Sequence, residues 1–453
     1  MGFRLYSIKT DNHNLPLVDF NHNDDNSNYI SLLIGNNGTG KSTILSTIAR
    51  HFKDVFKYQY ATQDTLFPER FNYKIIPSKV IATTHSISDK FPNDDTYSNR
   101  SDITTIDFDS NRYLYLGARN KFNGFSSKAL INKSMDIVLE QYLKSEVSAI
   151  YKHIFDYLGF EPILKIEYKI NNRIRNVIDI KSEIQNRILP RRNKYINVDV
   201  IEYIENNIDR IIEFLVSHES NRDSIVINFS SKNIDRISQN GSIYSEQYET
   251  YNIINILRKI EIITGYDIVV YKKNGNKFNL TNASSGELCI LSTFLGLIPM
   301  LKDNCLVLID EPEISLHPLW QSKYIDLVSK IFSYFRGCHI IIATHSHFLV
   351  TDLVPKKSSV VVLKNDGKTI IGDLLLEPTY GWSAEDILLD VFKTPSTRNY
   401  YLSQRISRML ELIADKQNET EEYSQLKKQV IPFYEVLKDT DPLKDIIALL
   451  KEK

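Results

Sequence analysis

Glycine is scarce in this sequence, and the places where it does occur are informative. The 453 residues include 16 glycines, whereas an average usage of about 7% would give roughly 32. Gly35, Gly38 and Gly40 fall within six residues of one another, and Gly286 opens a second polar loop. The chain therefore concentrates its glycine in a few loops, and those loops are the first candidates for a functional site.

The chain also has almost no net charge and few cysteines. The 55 Lys+Arg against 56 Asp+Glu give a net charge of −1, which excludes nucleic-acid binding through bulk basicity but leaves local basic patches open. Cys289, Cys305 and Cys338 lie in apolar runs without metal-ligand spacing, which is typical of buried free thiols. A hydrophobic fraction of 42% with 25% charged residues indicates an ordinary globular protein of about two to four domains.

Long apolar runs are absent from the sequence. The nearest candidate, residues 290–301, is 12 residues long and contains Ser, Thr, Gly and Pro, whereas about 20 apolar residues are needed to span a bilayer. The first residues lack the charged and apolar regions of a signal peptide. We therefore expect a cytoplasmic protein with no membrane partner.

The coarse pattern changes twice along the chain. Between about 128 and 265 glycine nearly vanishes and helical periodicity rises, without the sustained heptads of a long coiled coil. The predicted strands are 29–34, 79–83, 113–117, 163–170, 224–229, 267–273, 305–309, 339–343 and 359–364. The predicted helices are 42–52, 129–158, 199–217, 248–263, 287–301, 398–416, 420–437 and 442–451.

The first glycine-rich loop fits the pattern G-x-x-x-x-G-K-[ST] between a predicted strand and a predicted helix. It reads Gly35, Asn36, Asn37, Gly38, Thr39, Gly40, Lys41, Ser42 and Thr43. Glycines at this spacing let backbone N–H groups wrap phosphates at a helix N-terminus. We expect Lys41 to reach the β- and γ-phosphates of ATP and Ser42 to ligate Mg²⁺. The alternative is a plain glycine-rich turn.

A second candidate is the end of the apolar strand 305–309, which runs into Asp310 and Glu311. In a phosphate-loop protein, a carboxylate at this place holds Mg²⁺ and its neighbour orients or deprotonates the attacking water. We assign these roles to Asp310 and Glu311 respectively. The alternative is that both carboxylates cap the next helix.

Two further loops complete the candidate site. Ser284, Ser285, Gly286 and Glu287 open a predicted helix and would present donors to an anion, although Ser-Ser-Gly-Glu is also an ordinary helix cap. His345 ends a strand about 35 residues after Asp310, where an imidazole can contact the γ-phosphate region and the attacking water.

In this order the four motifs resemble those of the ABC/SMC-type ATPase head: Walker A, signature, Walker B and switch histidine. The sequence DEPEISLHP at 310–318 is similar to the corresponding motif of RecF-like, OLD-like and AAA_21-type ATPases. The resemblance implies an α/β fold whose mixed sheet with flanking helices is formed from N- and C-terminal parts. The implied domains are an N-terminal half-head (1–125), a helix-rich insertion (126–265), a C-terminal half-head (266–395) and a helical C-terminal tail (396–453).

A narrower resemblance rests on VIATTHSISDKFP at 80–92 and YGWSAEDILLDVFKTPSTRN at 380–399. These stretches look like PtuA-like ATPases of bacterial anti-phage systems of the Septu and retron kinds. The resemblance implies a head-to-tail homodimer or higher even oligomer, with each ATP between the Walker A of one subunit and the 284–287 loop of the other. It also implies a separately encoded nuclease as partner, since the chain shows no nuclease constellation of its own.

Several alternatives remain open at this stage. The chain could be a RecF-like DNA-repair ATPase that binds DNA directly, a scaffold in which hydrolysis hardly matters, or a transport subunit, which the long insertion disfavours. The resemblance to ABC heads implies a Gln at the end of the strand that follows the Walker A helix, which is 79–83 here, and no Gln is present. Either a polar residue of 84–88 ligates Mg²⁺ or water in its place, or the segment is a plain loop. Basic clusters near 187–194 and 398–408 would contact nucleic acid or form solvated faces, and the helices after 398 would dock a partner or pack internally.

Overall fold

A computed structural model of the chain describes residues 1–10, 13–19, 24–57, 70–86, 89–93, 111–119, 127–141, 148–170, 180–188, 198–217, 224–230, 233–237, 243–245, 253–254, 256–258, 260, 262–365, 369–393, 399–439 and 441–452. The chain divides into two compact units, Met1–Gly381 and Trp382–Lys453.

The strands are β1 (Leu5–Thr10), β2 (His13–Pro16), β3 (Tyr29–Ile34), β4 (Phe71–Tyr73), β5 (Val80–Thr84), β6 (Tyr113–Gly117), β7 (Phe160–Ile170), β8 (Ser224–Asn228), β9 (Asn233–Ile237), β10 (Ile243–Ser245), β11 (Ile263–Lys272), β12 (Lys277–Asn279), β13 (Leu306–Asp310), β14 (His339–Ala343), β15 (Ser358–Asn365) and β16 (Ile370–Leu374). The α-helices are α1 (Lys41–Lys57), α2 (Ser127–Gln141), α3 (Ser148–Leu158), α4 (Ile180–Ile188), α5 (Val198–Asn206), α6 (Ile208–Ser217), α7 (Ser285–Leu297), α8 (Pro318–Gln321), α9 (Tyr324–Phe332), α10 (Ala384–Asp386), α11 (Tyr400–Ala414), α12 (Glu421–Val430) and α13 (Pro442–Glu452). Short 3₁₀ segments are Leu280–Asn282, Ile298–Met300, His347–Leu349 and Ile431–Glu435, and Ile387–Val391 is a π-helical turn.

The largest sheet of the first unit has seven strands in the order β16-β15-β3-β14-β13-β5-β6. Its neighbouring strands are parallel except for the antiparallel pair β15 and β16. The strands β3, β5, β6, β13 and β14 are buried along their whole length, because continuous apolar runs suit strands covered on both faces. The expected mixed α/β sheet with flanking helices is confirmed.

Strand register brings the candidate loops to one edge of this sheet. Asp310, the last residue of β13, is paired with Ala343 of β14 on one side and Thr84 of β5 on the other. Ala343 is in turn paired with Leu33 of β3. Because parallel strands share the direction of their carboxyl ends, the loops after β3, β5, β13 and β14 emerge side by side.

A buried core joins the sheet to α1 and to a smaller sheet of order β2-β1-β4. His339 lies within this core and is fully buried. Its Nδ1 accepts a hydrogen bond from the backbone N–H of Leu5 at 3.1 Å, so its Nε2 carries the proton that is shared with Ser31 Oγ at 2.8 Å. The imidazole therefore connects β1, β3 and β14 with both of its nitrogens paired.

The middle of the chain combines helices with a second sheet. The antiparallel order β10-β9-β8-β7-β11-β12 adds strands to the insertion that the sequence predicts as helix-rich. The helix expected over 129–158 is present as α2 and α3, and that over 199–217 as α5 and α6. The helix expected to reach residue 263 is wrong at its end, since Ile263 begins β11 and pairs with Ile170 of β7. Cross-strand pairing overrides the local helical pattern there.

In the second unit the described elements are helices. Helices α11, α12 and α13 enclose a separate apolar core within residues 382–453. Its buried members are Leu402, Ile406, Met409, Leu412, Tyr423, Val430, Ile447 and Leu450. Within the described residues no helix combines the length and apolarity that crossing a membrane requires.

Replacing His339 by Phe should lower the free energy of unfolding by about 2 kcal/mol, because the Leu5 N–H and the Ser31 hydroxyl would lose their buried partner. Urea denaturation of the full chain measures this change. The matched control is His153→Phe, at a partly exposed position, which should change stability by less than about 0.5 kcal/mol. Equal stability of the His339 variant and the wild type would contradict a bridging role for this imidazole.

Candidate functional site

The glycine-rich loop connects β3 to α1 in conformations that other residues adopt poorly. Gly35, Gly38 and Gly40 have φ values of +154°, +81° and +92°. A Cβ on Gly40 would lie 2.3 Å from Ile370 Cδ1, and one on Gly35 would lie 2.6 Å from Leu363 O. Strands β15 and β16 therefore press against this loop, and glycine is required at Gly35 and Gly40 for space as well as for backbone angle.

Lys41 places its ammonium inside the loop that precedes it. The Nζ atom donates to the carbonyls of Gly35 at 2.8 Å and Asn36 at 3.2 Å, and it lies 3.4 Å from His345 Nδ1. Burial lowers the pKa of Lys41, while the nearby carboxylates of Glu311, Glu313 and Asp310 oppose that change. The loop thus surrounds one cation next to the first turn of α1, an arrangement that attracts phosphate.

Ser42 and Asp310 form a pair of oxygen ligands beside Lys41. The Ser42 hydroxyl donates to Asp310 Oδ1 at 3.1 Å, and Asp310 is only 2% exposed. Burial raises the pKa of the Asp310 carboxyl to about 7, the Ser42 hydrogen bond opposes this shift, and the charges of Glu311, Asp89 and Glu313 add to it. Such a carboxylate gains from a bound cation, and hard oxygen donors suit Mg²⁺.

Glu311 follows Asp310 in a left-handed backbone conformation with φ of +50°. Its N–H donates to the Ala343 carbonyl at 2.9 Å, which holds this uncommon conformation at the edge of the sheet. The side chain is about a quarter exposed, and its Oε1 lies 3.6 Å from His345 Nε2. The carboxylate is therefore accessible to water while remaining close to an imidazole.

His345 lies between the cation and this carboxylate. Burial and the charge of Lys41 lower the pKa of the imidazole, and Glu311 opposes the change. Lys41 faces Nδ1, so the neutral ring carries its proton on Nε2, the nitrogen that faces Glu311. The structure brings together the sequence-predicted residues Lys41, Ser42, Asp310, Glu311 and His345 in one cluster.

The 284–287 loop lies at the N-terminus of α7 and forms a capping box. Glu287 accepts from the backbone N–H and hydroxyl of Ser284 at 2.8 and 2.9 Å, and it pairs with Lys272 at 3.2 Å. Ser284 and Ser285 are exposed, whereas a Cβ on Gly286 would lie 2.8 Å from Ser315 O. The cap interpretation is confirmed for Ser284 and Glu287. Among the described residues this loop makes no hydrogen bond to residues 35–43 of its own chain.

The loop after β5 stands where a Gln was expected. His85 Nε2 lies 2.6 Å from Thr293 Oγ1, and burial lowers the pKa of this imidazole to about 4. Ser86 donates its N–H to Thr84 Oγ1 at 3.0 Å. Ile87 and Ser88, which belong to the same predicted loop, lie outside the described residues.

Two acids near the cluster were missed by sequence reasoning. The Asp89 side chain is buried, accepts from the Tyr115 hydroxyl, and lies 3.7 Å from Arg119. Glu313 accepts a hydrogen bond from the backbone N–H of His345 at 2.5 Å. The sequence feature that could have indicated Glu313 is its position directly after Pro312, close to the end of a buried strand. No comparable signal marked Asp89.

Residues 192–351 match the AAA_21 family model, described as "AAA domain, putative AbiEii toxin, Type IV TA system". Over these residues the chain is similar to AAA_21 ATPase domains. The matched stretch contains Asp310, Glu311, His345 and the 284–287 loop, and the phosphate loop at 35–43 precedes it.

Two relatives extend the likeness beyond the AAA_21 match. Over 445 residues the chain is 24% identical to "Retron Vc95 probable ATPase" of Vibrio cholerae serotype O1 biovar El Tor, covering 88% of this chain and 81% of that protein. Over 199 residues it is 28% identical to "Septu protein PtuA" of Bacillus thuringiensis, covering 41% of this chain and 48% of PtuA. The chain thus matches about half the length of the second relative and most of the first.

Two solved structures with weak similarity are Smc head domains. One, derived from Pyrococcus furiosus with an extended coiled coil and bound to the C-terminal domain of ScpA, gives a TM-score of 0.30 at 11% identity, covering 82% of this chain and 96% of that one. Another, bound to the C-winged helix domain of ScpA, gives 0.28 at 9% identity, covering 83% and 97%. Because these TM-scores are low, the fold of this protein is described from its own sheet order.

Replacing Asp310 by Asn should stabilise the metal-free chain at pH 8 by at least about 1 kcal/mol, because it removes a buried charge of like sign to its neighbours. The raised pKa of Asp310 means that the cost of this charge is absent below the unfolded pKa near 3.8, grows as pH rises, and is complete above about 7. Urea denaturation at pH 5 and pH 8 should therefore show a larger advantage at pH 8. The exposed Asp326→Asn is the control, and a variant no more stable than wild type at pH 8 would contradict the electrostatic account.

Proposed function

We propose that this protein binds ATP with Mg²⁺ and hydrolyses it at the carboxyl edge of the seven-stranded sheet. The observation that carries the proposal is the cluster in which Lys41 and Glu311 lie on opposite sides of His345, next to the Ser42–Asp310 pair. A cation, two metal-compatible oxygens and a water-accessible carboxylate are groups that phosphoryl transfer to water uses. The neutral imidazole adds a hydrogen-bond donor beside them.

Binding would begin at the phosphate loop. Backbone N–H groups at the start of α1 and the Lys41 ammonium would face the phosphates, so Lys41 would exchange its bonds to the Gly35 and Asn36 carbonyls for phosphate oxygens. Ser42 and Asp310 would hold Mg²⁺, since this ion prefers one or two protein oxygens together with phosphate oxygens. When bound, the ion neutralises charge on the β- and γ-phosphates.

Hydrolysis would depend on Glu311 and His345. The Glu311 carboxylate would accept the proton of an attacking water, since it is partly exposed and held at a fixed backbone angle. The neutral His345 ring would keep its Nε2 proton and donate a hydrogen bond through it to the water or to a γ-phosphate oxygen in the same space. Glu311 and His345 would then contact the same water molecule, because they follow the neighbouring strands β13 and β14.

Replacing Lys41 by Ala should weaken ATP binding and abolish turnover, whereas Glu311→Gln should retain binding and reduce turnover by at least about 100-fold. Phosphate release and the dissociation constant of ATP are measured on the purified full chain. The exposed Lys330→Ala is the matched control for a lost ammonium. Wild-type turnover in the Glu311→Gln variant would remove Glu311 from the assigned role.

The site is proposed to be completed by a second copy of the chain. Ser284 and Ser285 are exposed at the N-terminus of α7, and helix N-termini bind anions. The Glu287 carboxylate is tied to Ser284 and Lys272, so it supports the loop while the Ser285 hydroxyl remains available. In a head-to-tail dimer this loop would contact the ATP held by residues 35–43 of the other subunit.

Mixing two inactive variants tests this arrangement. Lys41→Ala disables the phosphate loop, and Ser285→Arg blocks the exposed loop by size and charge. A heterodimer keeps one composite site with both parts intact, so a 1:1 mixture should recover about a quarter of wild-type turnover. A mixture no more active than either variant alone would contradict a shared site.

The chain is related to ATPases of defence systems, and we propose that it is the sensor or regulator subunit of an anti-phage complex. In this role nucleotide binding would control a separately encoded effector, most simply a nuclease. The full chain co-expressed with its neighbouring genes should co-purify with such a protein, and Lys41→Ala should lose phage protection. Salt-dependent DNA binding by the isolated chain, without a nuclease partner, would favour a RecF-like repair ATPase instead.

A further inference from the structure

The segment that follows the Asp310–Glu311 pair contains an acid that the proposed mechanism leaves unused. Glu313 projects its Oε1 atom toward the loop after β14, where it accepts the backbone N–H of His345 at 2.5 Å. This hydrogen bond joins two loops that are 32 residues apart in the chain. It acts on the backbone of the residue whose imidazole lies between Lys41 and Glu311.

The environment of Glu313 makes this contact costly to maintain. Burial raises the pKa of its carboxyl, while the His345 backbone N–H and the Thr344 hydroxyl oppose the shift. Its Oε2 atom is fully buried and has no hydrogen-bond partner of acceptable geometry among the described residues. A buried carboxyl with so few partners destabilises a fold, so an apolar residue would serve better if packing were its only role.

A second side chain of the same segment holds the next residue of the loop. Gln321 Oε1 accepts a hydrogen bond from the Ser346 hydroxyl at 2.7 Å, and Gln321 Nε2 donates to the Leu316 carbonyl at 2.9 Å. Glu313 and Gln321 therefore hold consecutive residues, one through its backbone and one through its side chain. The two contacts fix the direction in which the His345 ring leaves the strand.

The imidazole geometry is sensitive to that direction. His345 Nδ1 is 3.4 Å from Lys41 Nζ, and its Nε2 is 3.6 Å from Glu311 Oε1. Both distances are at the outer limit of polar contact, so a shift of the His345 backbone would separate the ring from one of the two groups. We propose that Glu313, assisted by Gln321, is a positioning residue that holds His345 between Lys41 and Glu311. This inference rests on the proposed ATP hydrolysis.

A double-mutant cycle separates positioning from a general structural role. Glu313→Ala should lower the turnover number by between about 10- and 100-fold while changing the dissociation constant of ATP by less than about twofold, because the phosphate loop is untouched. In a His345→Ala background, the same substitution should lower turnover no further, because Glu313 acts through His345. Equal fold-losses in both backgrounds would overturn the inference.

Two further variants serve as controls for the double-mutant cycle. Glu313→Gln keeps an oxygen acceptor for the His345 N–H and should restore most of the turnover lost in Glu313→Ala. Asp326→Ala removes an exposed carboxylate paired with Lys330 and should leave turnover and ATP binding unchanged. A Glu313→Gln variant as inactive as Glu313→Ala would contradict a role based on accepting this hydrogen bond.

Backbone hydrogen exchange tests the contact without using turnover. The amide of His345 should exchange faster in Glu313→Ala than in wild type, whereas the buried amides of β13 and β14 should keep their rates. Absence of ATP turnover in the wild-type chain would contradict the proposed function, and the exchange rate would then decide the positioning role by itself. An unchanged His345 exchange rate in Glu313→Ala would overturn it.

Discussion

The register of parallel strands is the constraint on which the rest of this site depends. Asp310 is paired with both Ala343 and Thr84, so the residues that follow these strand ends meet without further adjustment. A shift of β13 by one residue would turn Asp310 to the opposite face of the sheet, away from Ser42. The continuous apolar sequence of the central strands stabilises this register, because both faces of the sheet are covered.

Negative charge gathers around this edge because the backbone brings it there. The charge on Asp310 is disfavoured by three neighbouring carboxylates, those of Glu311, Asp89 and Glu313. The phosphate loop supplies a cation to this group, the Lys41 ammonium. Like charges in a buried place disfavour ionisation, as the raised pKa of Asp310 shows. The divalent cation of the proposed Mg²⁺-ATP would offset part of this negative charge.

Sequence reasoning was most successful where chemistry and spacing coincide. The strands at 29–34 and 339–343 were located to the residue, because apolar runs of that length bounded by polar loops have few other interpretations. Lys41, Ser42, Asp310, Glu311 and His345 were selected from side-chain type and order alone, and the structure brings them together.

Other features could not be read from the sequence because they depend on distant partners. Glu313 accepts a hydrogen bond from a backbone N–H in another loop, and no sequence pattern predicts such a contact. Asp89 gains its importance from the proximity of Asp310, which only the folded sheet creates. In the middle segment, Ile263 begins β11 although it ends a stretch with helical periodicity, because β11 pairs with β7. Long-range pairing of this kind overrides local propensity.

The most direct test of the central claim is phosphate release from Mg²⁺-ATP as a function of the concentration of the purified chain. A composite site shared between two copies predicts a turnover rate per chain that rises with concentration and then levels off as dimers form. A measurable rate that is independent of concentration down to a demonstrably monomeric chain would contradict the shared site. The absence of phosphate release at every concentration would contradict the proposal that the cluster around Lys41 and Glu311 hydrolyses ATP.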